Sequence, residues 1–327
     1  MVVIIVDARH NVGMGHVFRG VALANYLSSI TKVQIIGQEL RASILKSYKF
    51  KNIVFKSYNK NLEELIFKDL KKNIKKIKLV VIDGYEFSND FSLNVKKLNF
   101  FLWQIDDYNH SYNSADKIIR PHLAIKNKSK PDINKENHEL MIRSDLKIFN
   151  LSKIRLKNQI LVILGTGLST NILSKLINII SNQLEMDIKI LTPFCDYKTK
   201  QLQSNFKNFK NITIKSNSTG VEIANEIRMS KFIICSASTI ALEAYYLNKQ
   251  VFTICTVNNQ YLIFSALKNK LKYLGIDVRK NFNFLKFVLE FSKYIKLMKC
   301  KKFSKPVFTN KKLTPKKFYK NLFKNLT

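Results

Sequence analysis

The chain has 327 residues, of which 46% are hydrophobic and 11% aromatic. This composition can bury a core and excludes a chain that is disordered throughout, and the length favours two domains. The formal net charge of +33 suggests an anionic partner such as nucleic acid or a membrane surface. However, Lys, Asn, Ile and Phe are all abundant and most of the charge is spread without blocks, which favours codon bias as its source.

The C-terminal segment Phe291–Thr327 differs, because it has twelve Lys and no Asp or Glu. Aromatic residues alternate with these lysines. That pattern is typical either of an amphipathic segment in weak contact with an anionic membrane surface or of a helix whose aromatics pack on the protein body. No nucleic-acid-binding motif accompanies the charge and Lys greatly exceeds Arg, so nucleic acid is not expected as a partner. The aromatics are Phe303, Phe308, Phe318, Tyr319 and Phe323.

Neither the cysteines nor the N-terminus indicates a secreted or membrane protein. None of the four Cys belongs to a C-x-x-C pair, and Cys235 and Cys255 lie inside apolar runs, so no disulfide framework and no metal site are expected. The apolar start ends at Asp7 without the basic region of a signal peptide. No apolar run approaches the roughly 18 residues of a membrane span. We therefore expect a cytoplasmic protein without integral membrane insertion.

In the first part of the chain, short apolar runs alternate with longer stretches. Val2–Val6 predicts a strand, and a helix is expected over about residues 16–29. Because β-branched residues are continuous in these runs, the strands are expected to be buried on both faces of a parallel sheet. The other predicted strands are Val33–Ile36, Ile53–Phe55, Leu79–Ile82 and Phe100–Ile105.

The pattern lapses between Arg120 and Asn158, which we interpret as the connection between domains, and then resumes. The two series predict an α/β protein with two doubly wound Rossmann-like domains, residues 1–145 and 155–327, facing each other across a cleft. Ligands of such folds bind at the carboxyl ends of the strands. The second series comprises strands Ile160–Leu164, Ile188–Leu191, Ile212–Ile214, Phe232–Cys235 and Val251–Cys255, with helices near 171–183, 197–206, 220–229, 240–246 and 260–271.

The loop between the first strand and the first helix contains Gly13, Gly15 and His16. Glycines permit close approach of a ligand, and the free N–H groups of the helix can bind phosphate. The loop is not a dinucleotide fingerprint, because a third glycine would fall at Phe18. His16 is a candidate general base at this junction, although a histidine that caps or packs would look the same.

Polar residues also follow two later strands of the first domain. Asp83-Gly84-Tyr85 and Asp106-Asp107 come directly after apolar runs. At carboxyl ends their carboxylates would be placed to bind sugar hydroxyls or to orient a base, or they are ordinary polar residues at strand ends. Two adjacent aspartates do not by themselves specify a cation.

Similar junctions occur in the second domain. Gly165-Thr166-Gly167 opens one helix, and Ser236-Ala237-Ser238-Thr239 opens another that carries Glu243. Each suits phosphate binding, or else a tight turn with a helix cap. Asn258-Asn259-Gln260 follows one strand later. Together with the first loop, these junctions suggest a diphosphate ligand held by backbone amides without a metal.

These residues occur in the order seen in the PseG/SpsG family, which the chain resembles over roughly residues 1–280. The resemblance implies the GT-B architecture, related to the MurG glycosyltransferase. It also implies hydrolysis of UDP-2,4-diacetamido-2,4,6-trideoxy-β-L-altropyranose on the way to pseudaminic acid, with no cofactor. By position, His16 resembles the catalytic histidine that activates water. The remaining implied substrate-binding residues are Asp7, Gly13, Gly15, Arg19, Asp83, Tyr85 and Asp107 in the first domain, and Gly165, Thr166, Gly167, Ser236, Ser238, Thr239, Glu243, Asn259 and Gln260 in the second.

Within that resemblance, Asp7, Arg19, Tyr85 and Asp107 are expected to line the sugar. The glycine and serine loops of the second domain are expected to face the diphosphate, and Glu243 is expected to accept the ribose hydroxyls. The chain departs from the family at Gly165–Leu168, where Gly-Gly-x-Asp is usual, and at Arg143–Lys147, where a Gly…Tyr…Arg segment is usual. A GT-B glycosyltransferase that uses a UDP-sugar donor stays the alternative, since its base would deprotonate a hydroxyl instead of water.

Overall fold

In the computed structural model, the N-terminal part of the chain folds around a parallel sheet of seven strands in the order β3-β2-β1-β4-β5-β6-β7. The strands are β1 Val2–Val6, β2 Val33–Gln38, β3 Ile53–Tyr58, β4 Leu79–Asp83, β5 Phe101–Ile105, β6 Lys117–Ile119 and β7 Glu136–Asn137. The residues that the structure describes are 1–8, 15–38, 40, 52–58, 62–85, 87–107, 114–120, 136–137, 155–165, 168–192, 196–216, 218–247, 249, 251–271, 273–299, 320 and 323–324.

Strand β1 is buried along its whole length, as its unbroken apolar sequence predicts. Side chains alternate between the two faces of a strand, so Val2, Ile4 and Val6 enter one core and Val3 and Ile5 enter the other. The core that contains Val2 packs against helix α1, Gly15–Leu27. The opposite core packs against α2, Leu62–Lys72, and α3, Asn89–Lys97.

A second parallel sheet has six strands in the order β10-β9-β8-β11-β12-β13. The strands are β8 Lys157–Ile163, β9 Asp187–Thr192, β10 Ile212–Ser216, β11 Ser230–Ser236, β12 Phe252–Cys255 and β13 Gly275–Asp277. The helices are α4 Thr170–Gln183, α5 Asp196–Asn205, α6 Gly220–Met229, α7 Thr239–Tyr246, α8 Tyr261–Leu271 and α9 Phe284–Lys299. The doubly wound α/β prediction is therefore confirmed, and each strand or helix predicted at a stated position is found within a few residues of its expected bounds.

Among the described residues, three strands and the three helices α2, α3 and α9 were not predicted at stated positions. Strands β6, β7 and β13 are two or three residues long. Strand β7 lies inside residues 120–158, the segment that we interpret from the sequence as the connection between domains. Helix α9 overlaps the start of the Lys-rich segment and buries Phe287, Phe291 and Tyr294 in the core of the second sheet.

The chain divides into two compact units, Met1–Ser144 with Phe308–Thr327, and Asp145–Val307. This division differs from the expectation that the whole C-terminal segment belongs to the second domain. The physical reason is visible at Phe323, which is 5% exposed and packs in the core of the first unit together with α1. For Phe323 the interpretation that the aromatics pack on the protein body is therefore correct. Phe303, Phe308, Phe318 and Tyr319 lie outside the described residues.

Cys235 and Cys255 are completely buried free thiols, as predicted from their apolar runs. Burial raises the pKa of Cys255 to about 12 and raises the pKa of Cys235 as well, so both remain protonated. Among the described residues, the helices all fall short of the length and apolar character that a bilayer crossing requires.

Helix α1 approaches β1 closely because residue 20 is glycine. A Cβ atom there would lie 2.7 Å from Cγ1 of Val6, closer than packed carbon atoms normally approach. Since Val6 is a buried β-branched residue, it has little freedom to move aside. The glycine therefore sets the distance at which α1 presents its side chains to the strand ends.

We expect Gly20→Ala to destabilise the first unit by about 1–3 kcal/mol through overpacking, which exceeds the gain of up to about 1 kcal/mol in helix propensity. Urea unfolding followed by fluorescence measures this, because Trp103 is the single Trp of the chain and is fully buried in the first unit. Val6→Ala removes the obstructing methyl, so the double variant should lose less stability than the two single losses added together. Strict additivity would contradict this account of the α1–β1 contact.

Candidate active site

Helix α1 and the carboxyl ends of β4 and β5 place a group of ionisable side chains together. His16 and Arg19 are three residues apart on α1 and therefore share one face of the helix. Asp83 is the last residue of β4. Asp107 follows β5, which pairs with β4 in parallel, so both carboxylates emerge at the same edge of the sheet.

His16 and Asp83 form a short buried hydrogen bond. The Nδ1 atom of His16 lies 2.5 Å from Oδ1 of Asp83, and the two residues are 3% and 0% exposed. Nη2 of Arg19 also lies 2.9 Å from this Nδ1. A carboxylate only accepts hydrogen bonds, so we interpret the contact with Asp83 as one in which Nδ1 carries the proton. In the neutral imidazole Nε2 then carries the lone pair. The structure thus places His16 in a partnership with a carboxylate, which distinguishes it from a histidine that only packs.

Arg19 joins two carboxylates and is 4% exposed. Its Nε and Nη2 donate to Asp83 over 3.0 and 2.6 Å, and its Nη1 donates to both oxygens of Asp107 over 2.7 and 2.8 Å. Burial alone would lower the pKa of Arg19, but Asp107 and Asp83 outweigh it and raise the pKa well above the usual value. Burial would raise the pKa of Asp107, but Arg19 outweighs it and lowers the pKa to about 2.

Tyr85 completes the cluster. Its hydroxyl donates to Oδ2 of Asp107 over 2.8 Å, and its ring meets the imidazole of His16 edge-on with 4.5 Å between centroids. Burial and the charge of Asp107 raise the pKa of Tyr85, so the phenol stays protonated and keeps donating. His16, Arg19, Asp83, Asp107 and Tyr85, all identified from the sequence, therefore form one contiguous group.

The other sequence-predicted residues of the first unit are Asp7, Gly13 and Gly15. Asp7 is 3% exposed and its N–H donates to the backbone oxygen of Asp83 over 3.0 Å. Gly15 is the first residue of α1. Gly13 lies outside the described residues.

Sequence reasoning missed Arg120, which pairs with Asp106 beside this cluster. Nε of Arg120 donates to Oδ2 of Asp106 over 2.9 Å, and the side chains are 9% and 0% exposed. Arg120 directly follows β6, a strand of three residues. Recognition of that short strand would have placed Arg120 at the same sheet edge as Asp106 and Asp107.

In the second unit, the serine-rich loop leads from β11 into α7. Ser236 ends β11, and its Oγ lies 2.9 Å from Oγ of Ser238, the N-cap residue of α7. The hydroxyl of Ser238 makes no capping bond to the first turn, unlike those of Ser169 at α4 and Thr219 at α6. Thr239 begins the helix, and the amides of this turn suit an anionic oxygen.

Glu243 lies one turn into α7 and is 1% exposed. After the adjacent strand β12, Gln260 accepts hydrogen bonds at Oε1 from the backbone N–H of Thr256 over 2.9 Å and from its hydroxyl over 3.2 Å. The amide of Gln260 therefore fixes the turn Asn258–Gln260, which contains Asn259.

Sequence reasoning also missed Arg279, which follows β13. Nη2 of Arg279 donates to Asp277 over 2.7 Å, its Nη1 donates to Asn258 over 3.2 Å, and its guanidinium lies 4.2 Å above the ring of Tyr261. Arg279 thus ties the turn after β12 to the end of β13. Strand β13 was not predicted, so nothing in the sequence pattern placed Arg279 at the end of a strand.

Gly165 follows β8, and the described fold does not require a glycine at this position. A Cβ atom at this position would have no atom of the described fold within 4 Å, and the backbone is not in the left-handed region. Thr166 and Gly167 lie outside the described residues.

No protein-family model matches the chain. A curated relative, uncharacterized protein MJ1062 of Methanocaldococcus jannaschii, is 26% identical over 276 residues, which are 77% of this chain and 55% of the relative. The chain therefore spans about half the length of the curated relative that it matches.

Several solved structures share the fold at low sequence identity. MurG of Acinetobacter baumannii has a TM-score of 0.62 at 14% identity, with 99% of each chain covered. UDP-GlcNAc 2-epimerase of Methanocaldococcus jannaschii, solved with UDP-GlcNAc and UDP, has a TM-score of 0.64 at 14% identity and 99% coverage of each chain. Arabidopsis thaliana UGT89C1, solved with UDP-L-rhamnose, has a TM-score of 0.66 at 9% identity, covering 99% of this chain and 97% of that one. The GT-B fold with Rossmann-like domains is thus confirmed.

The low pKa of Asp107 makes a pH-dependent contribution to stability. The carboxyl is ionised above its folded pKa of about 2, whereas in the unfolded chain it titrates near 3.9. At pH 7 this difference is worth roughly 2–3 kcal/mol, and it is lost as the pH falls from about 4 to about 2.

We therefore expect Asp107→Asn to lower the stability of the first unit at pH 7, and the gap to the unsubstituted protein to narrow below about pH 4. Urea unfolding followed by Trp103 fluorescence at a series of pH values measures the gap. Taking the difference removes the contribution of other carboxyls that titrate in both proteins. A gap that stays constant from pH 7 to about pH 2 would show that Asp107 is not held by Arg19 in this way.

Proposed function

We propose that the protein is a nucleotide-sugar hydrolase that releases UDP from a UDP-linked diacetamido-trideoxy sugar, in the synthesis of a pseudaminic acid-type surface glycan. The observation that carries this proposal is the buried contact of 2.5 Å between Nδ1 of His16 and Asp83. It leaves Nε2 of a neutral imidazole as the group that can accept a proton.

In the proposed reaction, Nε2 of His16 takes a proton from water while the water oxygen attacks C1 of the sugar. The bond between C1 and the diphosphate oxygen breaks, and UDP leaves with the electron pair. Asp83 keeps the imidazole in the reactive tautomer and stabilises the imidazolium that forms, the role of the carboxylate in other His–Asp pairs.

UDP is a good leaving group once its negative charge is stabilised, so the reaction does not depend on a strong general acid. Backbone amides can supply that stabilisation without a metal. We assign this role to the first turn of α7, where the N-cap residue Ser238 does not cap the helix with its side chain. The Gly165–Gly167 loop and Thr239 are proposed as further contacts to the diphosphate.

The other proposed contacts follow from the sequence resemblance and are compatible with the folded positions. Glu243, one turn into α7, is proposed to accept the ribose hydroxyls. Asn259 and Gln260 are proposed to position the substrate. Tyr85, 4.5 Å from the imidazole between ring centroids, is proposed to contact the sugar. Asp7 is proposed to lie on the same side.

The shared GT-B fold supports a nucleotide-sugar substrate by analogy, because two of the compared structures were solved with UDP-sugars. Fold alone does not give the reaction. A glycosyltransferase would use the same His16–Asp83 pair to deprotonate a hydroxyl. The acceptor dependence of UDP release therefore separates the two functions.

The decisive assay measures UDP release from UDP- and CMP-linked acetamido sugars in ¹⁸O-labelled water, without an acceptor. Release of UDP with ¹⁸O at C1 of the sugar is the expected result. UDP release only after addition of a hydroxyl acceptor would replace the hydrolase with a glycosyltransferase. Preferential cleavage of CMP-linked sugars would contradict the proposed nucleotide.

We expect His16→Asn to lower kcat by about 10²–10⁴-fold, the usual contribution of a general base, while UDP-sugar binding persists. Asn can still donate an N–H to Asp83, but it has no counterpart of Nε2. Turnover and UDP-sugar affinity measure the two effects separately. Lys68→Gln, at an exposed ion pair with Glu64 on α2, is the control and should behave as the unsubstituted protein. An unchanged kcat in His16→Asn would remove the base role.

For Gly165→Ala we expect UDP to bind at least tenfold more weakly with little change in thermal stability, because the added methyl meets no described atom of the fold. Gly275→Ala is the contrasting variant, since its Cβ atom would lie 2.2 Å from the backbone oxygen of Thr253 and should destabilise the second unit. Calorimetric titration with UDP and a thermal scan measure both properties. Unchanged UDP affinity in Gly165→Ala would mean that this loop does not meet the diphosphate.

A further inference from the structure

The contacts of Arg19 differ from those expected of a substrate-binding residue. The sequence resemblance places Arg19 beside the sugar, yet each of its three side-chain nitrogens donates to a carboxylate of the protein. The side chain is 5% exposed. A guanidinium committed in this way has little capacity left for a ligand.

The contacts form a closed cycle that includes the proposed base, His16. Arg19 donates to both oxygens of Asp83, and Oδ1 of Asp83 also accepts from Nδ1 of His16. Asp107 accepts from Nη1 of Arg19 and from the hydroxyl of Tyr85, whose ring contacts the imidazole. Every member therefore has its position fixed by two others.

The second carboxylate helps to fix the orientation of the guanidinium. With Asp83 as its single partner, Arg19 would be held at Nε and Nη2 alone. Asp107 draws Nη1 in a different direction, so the plane of the guanidinium is fixed. That plane in turn fixes the carboxylate of Asp83, because the Nε and Nη2 fork matches its two oxygens.

We propose that Arg19 is a positioning residue that orients Asp83 and so keeps the proton of His16 on Nδ1, and that Asp107 anchors Arg19 rather than the sugar. The inference rests on the proposed function for its effect on turnover. Its effect on the tautomer of His16 does not depend on which reaction the protein catalyses.

The main variant is the pair Arg19→Met with Asp107→Asn. Removal of Arg19 alone would leave two buried carboxylates without their cation and threaten folding. The double substitution removes one positive and one negative charge, so the net charge of the cluster is unchanged. It removes the clamp on Asp83, by which we mean the hydrogen bonds from Nε and Nη2 of Arg19. Arg19→Lys, which keeps the charge but loses the fork, and Asp107→Asn alone are further variants that test the same point.

The control is Lys189→Met with Glu226→Gln, a pair in the second unit with side chains 22% and 10% exposed. It removes the same kinds of charge from a largely buried ion pair that does not contact His16. We expect it to lower stability without changing the tautomer of His16 or kcat.

Two measurements test the proposal. Long-range ¹H–¹⁵N spectra of histidine-labelled protein report the tautomer of His16, assigned by comparison with His16→Asn. The Nδ1–H form should dominate in the unsubstituted protein and in the control, and should give way to a mixture in the clamp variants. Turnover should fall about 10–100-fold, typical for loss of a supporting partner, with UDP affinity within about twofold of the unsubstituted value.

The outcomes that would overturn the proposal are distinct. An unchanged tautomer with unchanged kcat in the folded clamp variants would show that Asp83 needs no clamp. A rise in KM alone, with kcat and tautomer unchanged, would return Arg19 to the sugar site. If the unsubstituted protein hydrolyses no UDP-sugar, the proposed function fails, but a shift in the tautomer in the clamp variants would still support Arg19 as the positioning residue.

Discussion

Two buried carboxylates share one guanidinium in the first unit, and the local geometry follows from that shortage of positive charge. Asp83, Asp107 and Arg19 are 0%, 5% and 4% exposed, so water contributes little to their stabilisation. An unpaired charge at such depth costs several kcal/mol, which forces the guanidinium into a bridging position. When the imidazole of His16 gains a proton, the positive and negative charges of these groups become equal. A proton transfer to His16 thus completes the electrostatic balance of the cluster instead of disturbing it.

The backbone topology by itself brings these groups to one edge of the sheet. Strands β1, β4 and β5 are neighbours in one parallel sheet, so residues that follow them emerge at one edge. Helix α1 returns from β1 across the same edge, and Gly20 lets it lie close enough for His16 and Arg19 to reach the carboxylates. The side chains are then held by each other.

The sequence was most informative where apolar runs were long and continuous. Such runs predicted β1, β4 and β8 because burial on both faces allows only apolar residues there. It failed at β6, β7 and β13, whose two or three residues are too few to show a pattern. Arg120 and Arg279 were missed for the same reason, since each follows one of these strands. The motifs identified His16, Asp83 and Asp107, which the structure brings together. Position along the chain does not reveal which carboxylate an arginine will bind, so the contacts of Arg19 needed side-chain geometry.

The difference between a hydrolase and a glycosyltransferase does not lie in the His16–Asp83 pair. Both reactions need a base that removes a proton from an oxygen nucleophile, and both need the charge of the departing diphosphate to be stabilised. What differs is whether the space next to Nε2 admits only water or also a larger hydroxyl compound. Tyr85 is one group beside the base, since its ring meets the imidazole of His16 edge-on and its hydroxyl donates to Asp107. The nucleophile is therefore selected by the groups that surround the imidazole, because the His16–Asp83 pair by itself serves either reaction.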